Sequence, residues 1–133
     1  MTGERDLKRL LAELDPWLDP DIYVFASTTG AAPTQRVSPL MQFHEAEGLT
    51  LILTQADAAR AGLGGVFPCR RITLRVHSAL DAVGLIAAVS AALSEAGIST
   101  NPVSGFFHDH VFVAEKDADR AMDVLRALAI QPR

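Results

Sequence analysis

The sequence predicts an α+β fold of two tandem units, residues 1–65 and 66–133, each an antiparallel sheet with helices on one face. Three observations carry that prediction. In Ile72-Thr73-Leu74-Arg75-Val76-His77 the apolar residues fall on every second position, the period of a strand with one buried face. From Ala82 to Gly97 the period changes, and Leu85, Ile86, Val89, Ala92 and Leu93 recur at the three and four residue spacing of an amphipathic helix. Finally, Leu-Ile-Leu-Thr-Gln-Ala-Asp-Ala-Ala-Arg-Ala at 51–61 returns at a constant offset as Val-Phe-Val-Ala-Glu-Lys-Asp-Ala-Asp-Arg-Ala at 111–121. Asp57, Ala58, Arg60 and Ala61 are thereby matched by Asp117, Ala118, Arg120 and Ala121, the pattern of a duplicated strand-to-helix junction.

Taken in order, Leu7, Leu10, Leu11 and Leu14 fit one helical face, with Thr2 as N-cap and Glu4 and Asp6 favourable at the positive end. Pro16 ends that helix, and 15–20, with two prolines, reads as a connector. Tyr23-Val24-Phe25 marks a strand over 22–27. The small and turn-forming residues of 28–39 predict a loop. Met41 to Glu45 and Leu49 to Thr54 read as a hairpin turning at Glu47-Gly48, followed by a short helix over 55–63. After the 72–77 strand and the 82–97 helix, two further strands are expected at 98–107 and 110–114, and a helix at 116–128. This order suits ferredoxin-like units, in which helices cover one sheet face and edge strands stay open for pairing with a second copy.

At 133 residues, nearly half of them apolar, the chain has the composition of a folded soluble protein. Its most hydrophobic window, 80–93, contains Asp81, Gly84 and Ser90 and keeps helical amphipathicity, so a core helix accounts for it better than a membrane span. The N-terminus is charged and lacks the apolar core of a signal peptide, which predicts a cytoplasmic protein with no membrane partner. A net charge of −4 argues against nucleic acid as a partner. Arg70, Arg71 and Arg75 are a local basic exception, read as a solvated or partner-facing sheet surface. Cys69 is the only cysteine, so no intramolecular disulfide or cysteine-cluster metal site is possible, and it reads as a small buried residue at a strand start.

Within 76–101 lie two short motifs, Asp81-Ala82-Val83-Gly84-Leu85 before the helix and Gly97-Ile98-Ser99-Thr100-Asn101 after it. Together they resemble the ACT domain family of amino-acid-binding regulatory modules, in which an Asp-x-Pro-Gly-Leu loop opens the first helix and a Gly-Ile pair leads to the second strand. Residues 109–113 and the helix over 117–128 resemble that family's third strand and second helix, closest to the aspartate kinase variant. The resemblance covers about 67–128, with Val83 standing where the family often has Pro, and 1–65 looks like a more divergent ACT-like copy. It implies a small-molecule ligand, an amino acid above all, bound by Ser78, Leu80, Asp81, Val83, Gly84 and Leu85 with Ile98, Ser99, Thr100 and Asn101.

The chemistry of that loop is intelligible from its residues. A glycine at a helix start lets a ligand approach the backbone, and the unpaired N–H groups there attract a carboxylate. Asp81 or a carbonyl of the second strand would take an ammonium group. The competing reading is structural: Gly84 permits close packing, while Asp81 and Ser78 cap the helix. His108-Asp109-His110 is a possible metal pair, but two ligands are too few and a polar hairpin turn explains it. No nucleophile elbow, phosphate loop or dinucleotide fingerprint is present, so neither catalytic residues nor a cofactor are expected. The sequence therefore points to a non-catalytic, homodimeric or higher-order regulatory or sensor protein. The alternative is a dimerisation or protein-interaction module without a small ligand.

Overall fold

The computed structural model describes residues 2–30 and 37–132. The chain forms two compact units, and their division does not follow the linear repeat. One unit is discontinuous, Met1–Asp19 with Arg70–Arg133, and the other is Pro20–Cys69.

The continuous unit contains β2 (Tyr23–Thr28), β3 (Met41–Glu45), β4 (Gly48–Thr54), α2 (Gln55–Arg60) and the first residues of β5 (Val66–Leu74). Its sheet runs β3-β4-β2-β5. Tyr23 lies opposite Thr54 and Thr28 opposite Leu49, an antiparallel register that places Val24, Ala26, Leu51 and Leu53 together on one face. Those side chains and Ala58 of α2 form a small core. Thr54 ends the strand and caps the helix, its hydroxyl accepting from the Asp57 N–H at 3.2 Å. The expected loop over 28–39 lies in part, at 31–36, outside the described residues.

The discontinuous unit contains α1 (Leu7–Ala12), β1 (Pro16–Leu18), the remainder of β5, α3 (Leu85–Glu95), β6 (Asn101–Ser104), β7 (Asp109–Ala114), a short 3-10 turn (Glu115–Asp117) and α4 (Ala118–Ile130). Its sheet order is β1-β5-β7-β6. Beginning at β5, the chain passes through strand, helix, two strands and helix, and β1 then completes a ferredoxin-like sheet from the other end of the sequence. Ile72 and Leu74 of β5, Val111 and Val113 of β7, Val89 and Leu93 of α3 and Leu125 of α4 form the core. Leu10, Leu11 and Leu14 join it, so the N-terminal helix packs with residues far along the chain.

Several local expectations are corrected. The segment read as a connector supplies β1, in which Pro16 pairs with Leu74 and Leu18 with Ile72; Pro is tolerated because β1 is an edge strand. The cap of α1 is Asp6, whose carboxylate accepts from the Lys8 N–H at 3.1 Å, and not Thr2. The strand expected to reach His77 ends at Leu74, and the one expected over 98–107 is confined to 101–104. By contrast, the repeat has a structural counterpart. Asp57 pairs with Arg60 on α2, and Asp117 pairs with Arg120 at the corresponding junction. Among the described residues no helix is long and apolar enough to cross a membrane.

Candidate functional site

Extending the alternation of β5 past its end puts Ile72, Leu74, Val76 and Ser78 on one side of the chain, and all four are buried. In β7 the same period carries Asp109, Val111 and Val113, also buried. The two polar members of these rows, Ser78 and Asp109, therefore face the helix layer, and the Ser78 hydroxyl donates to Asp109 Oδ2 at 3.3 Å. Asp109 is 7% exposed. Its other oxygen, Oδ1, accepts no hydrogen bond among the described residues. Since no fully buried side-chain oxygen or nitrogen there lacks a partner, Oδ1 is not wholly enclosed, and Asp109 lines the adjoining cavity.

That cavity, of about 150 Å³, is lined by Ser78, Ala79, Leu80 and Ala82 of the loop, by Gly84 and the first turn of α3, and by Ser104 and Asp109. Ser104 lies directly across the strand pair from Asp109. The helix begins at Gly84, with φ of 106° and no side-chain cap. The intrahelical ladder starts with Ala88 N–H donating to the Gly84 carbonyl at 2.9 Å. The preceding N–H groups, of Leu85, Ile86 and Ala87, have no acceptor within the helix, and all three residues line the cavity. One wall thus offers backbone donors at the positive end of a helix, and another offers a carboxylate oxygen.

The loop is buttressed by the N-terminal segment. The Glu4 N–H donates to the His77 carbonyl at 2.8 Å, and the Ala79 N–H donates to the Glu4 carbonyl at 2.8 Å. At Gly3, a Cβ would lie only 2.6 Å from the Ala79 nitrogen, so only glycine lets the two backbones approach this closely. Arg5 grips Asp81 through Nε at 2.9 Å and Nη2 at 3.3 Å. That hydrogen bond holds the Asp81 carboxyl below its ordinary range despite its exposure.

Of the residues expected from sequence to bind ligand, Ser78, Leu80, Gly84 and Leu85 line the cavity. Asp81 does not, being turned to Arg5. Val83 is 82% exposed outside the lining, and Ile98 is buried in the core. Ser99, Thr100 and Asn101 lie outside the lining as well; Asn101 pairs with Phe112 along the sheet. Neither Ser78 nor Asp81 caps α3. The sequence reading did not single out Ile86, Ala87, Ser104 or Asp109, which also line the cavity; it gave Asp109 both as part of a polar hairpin turn and, through the family resemblance, as the start of a strand. The signal for Asp109 was its phase with Val111 and Val113.

The two histidines of the hairpin are engaged separately. His110 Nδ1 lies 2.9 Å from the Thr73 hydroxyl, and His108 Nδ1 lies 3.4 Å from the Val76 carbonyl. Burial, followed by the Arg71 charge and His108, lowers the His110 pKa below its ordinary value. Among the described residues, no three His, Cys, Asp or Glu side chains converge as metal ligands. The arginine row is also paired: Arg71 Nη2 meets Asp19 at 2.8 Å and Arg75 Nη2 meets Asp15 at 2.9 Å.

Two family models, each described as an ACT domain, match residues 2–70 and 66–127. No curated protein matches the chain. Among solved structures, a protein of unknown function from Vibrio cholerae, described as a possible transport protein, is 40% identical. That match covers 96% of this chain and 99% of the other, with a TM-score of 0.83. A protein from Agrobacterium tumefaciens is 20% identical over 82% of this chain and 84% of its own, with a TM-score of 0.69. The ligand-free regulatory subunit of aspartate kinase from Thermus thermophilus is 10% identical, covering 88% of this chain and 97% of its own, with a TM-score of 0.67.

Proposed function

The chain belongs to the ACT domain family of regulatory modules, with two such domains in tandem, and from that premise we propose that it is a non-catalytic cytoplasmic sensor that binds an amino acid in the cavity beside Asp109. The observation that carries this reading is the opposition of unlike groups across one cavity. The uncapped N–H groups of Leu85, Ile86 and Ala87 suit a carboxylate, and Oδ1 of Asp109 suits an ammonium group. A zwitterion satisfies both. The binding residues in this proposal are Ser78, Leu80, Gly84 and Leu85, joined by Ile86, Ala87, Ser104 and Asp109. Asp81 acts on the loop through Arg5 instead of touching the ligand.

The linear division at residue 65 enters the proposal as one of ancestry. The repeat lies in the sequence, whereas α1 and β1 pack with the later residues. Bound ligand would act by favouring one assembly state of the protein, a homodimer or larger homo-oligomer, over another. The test is a thermal-shift screen of the common amino acids at millimolar concentration with the full chain. A ligand selective for the folded state must raise the melting temperature; if none does, the amino-acid reading fails.

A second reading, an interaction module with no small ligand, draws support from the exposed apolar groups of the same unit. Phe106 and Phe107 of the β6–β7 turn are 64% and 62% exposed, and Val83 is 82% exposed. Sedimentation distinguishes the two: assembly indifferent to every amino acid favours the module.

A further inference from the structure

We infer that the ligand is a short, uncharged α-amino acid of the size of glycine, alanine or serine; this rests on the reading of the Asp109 cavity as an amino-acid site. Size is the first argument. A cavity of about 150 Å³ is of the volume that accommodates benzene, a molecule of about six non-hydrogen atoms. Alanine and serine are of that size, and the carboxylate and ammonium groups already account for most of it.

The walls supply the second argument. Beyond the polar groups at its two ends, the cavity is bounded by the small residues Ala79, Ala82 and Ala87, with Leu80 and Ile86. Large apolar partners for a branched or aromatic side chain are confined there to Leu80, Leu85 and Ile86. Charge supplies the third. Asp109 is the only ionisable residue of the lining, and the ligand's ammonium group uses it. A basic side chain would lack a second carboxylate, because Asp81 lies outside the lining and is held by Arg5. An acidic side chain would gain a second negative charge beside Asp109 with no cation to meet it. The Ser104 hydroxyl makes no side-chain hydrogen bond among the described residues and lines the cavity, so it can meet a ligand hydroxyl.

The test is calorimetric titration of the full chain with glycine, L-alanine, L-serine, L-leucine, L-phenylalanine, L-lysine, L-glutamate and propionate. Binding by some or all of the first three, with at least tenfold weaker binding of the others, is the expected result. Propionate, which lacks the ammonium group, belongs with the weak set. For the tightest of the three, Asp109→Asn lowers affinity by about tenfold or more. Ala87→Leu, at an exposed helix position that tolerates leucine, enlarges a side chain of the lining and weakens binding while leaving the melting temperature of the free protein within a few degrees. Leucine, phenylalanine, lysine or glutamate binding as tightly as alanine overturns the size and charge class but leaves the amino-acid site standing. Equal binding by the Asp109→Asn and Ala87→Leu proteins overturns the location. Failure of every compound to bind overturns the site reading itself.

Discussion

Gly84 is fixed by two separate constraints. Its φ of 106° is one that side-chain-bearing residues rarely adopt, and an added Cβ would lie 3.0 Å from a Leu7 methyl. Replacement by alanine therefore costs about 1–3 kcal/mol of stability, measurable by chemical denaturation, and a bulkier residue costs more. Loss of ligand binding on substituting Gly84 would consequently report on folding as much as on the site; Asp109 and Ala87 are the cleaner probes. Cys69 tests burial differently. It is fully buried, its thiol donates to the Tyr23 carbonyl at 3.4 Å, and desolvation pushes its pKa from 9.0 to about 11. Between those values the unfolded chain releases the thiol proton and the folded chain keeps it. Stability is therefore lost as pH rises from 9 to 11. The slope of unfolding free energy against pH over that window should be less steep in Cys69→Ala. At pH 8 a thiol reagent should modify the native protein only at the rate at which it opens. The burial of Cys69 was legible from its type, although it lies within β5 and not at the strand start that the sequence suggested. Asp109 was not: the resemblance placed it at the start of a strand, but an acidic residue between two histidines also has the composition of a turn, and only its phase with Val111 and Val113 shows that it faces inward.

At the scale of elements, α1 shows how far periodicity carries. Leu7, Leu10, Leu11 and Leu14 define its apolar stripe in the sequence, and in the structure Leu10 and Leu14 are wholly buried. What the stripe packs against is set by contacts remote in sequence, with Leu85, Val89 and Leu125 in the same core. A helix of six residues has no stability of its own, so its order derives from that packing. Leu10→Ala should cost about 2–5 kcal/mol, and denaturation followed by circular dichroism measures it. A loss below about 1 kcal/mol would show that α1 is not part of the core. The strand β1 escaped the sequence reading for a related reason. Three residues opening with a proline carry no alternation to recognise, and Asp15-Pro16-Trp17-Leu18-Asp19-Pro20 resembles a linker until Leu74 and Ile72 are seen opposite Pro16 and Leu18. By contrast, β4 with α2 and β7 with α4 were legible because their residues are neighbours in the chain and repeat each other.

For the whole molecule, the family match over 66–127 suggests that the later half is complete, and the packing says otherwise. A chain of residues 66–133 retains β5, α3, β6, β7 and α4 but lacks β1 and α1. Without β1, one edge of β5 loses its partner over Ile72 to Leu74. Without α1 and the residues that follow it, the core loses Leu10, Leu11 and Leu14, all within 5% of full burial. Each leucine truncated to alanine in a core costs about 2–5 kcal/mol. Removing three outright takes away as much as the roughly 5–15 kcal/mol that separates folded from unfolded domains. The 66–133 chain should therefore show no cooperative thermal transition and should bind a hydrophobic dye. Adding a peptide of residues 1–19 should restore both the transition and the dispersion of the amide spectrum, because that peptide carries the missing helix and strand. If 66–133 alone melts cooperatively near the temperature of the intact chain, the repeat is autonomous in packing as well as in sequence, and the N-terminal segment is an ornament on a finished domain. If only the mixture folds, the segment is structural, and through Glu4 and Arg5 it also sets the loop that borders the Asp109 cavity.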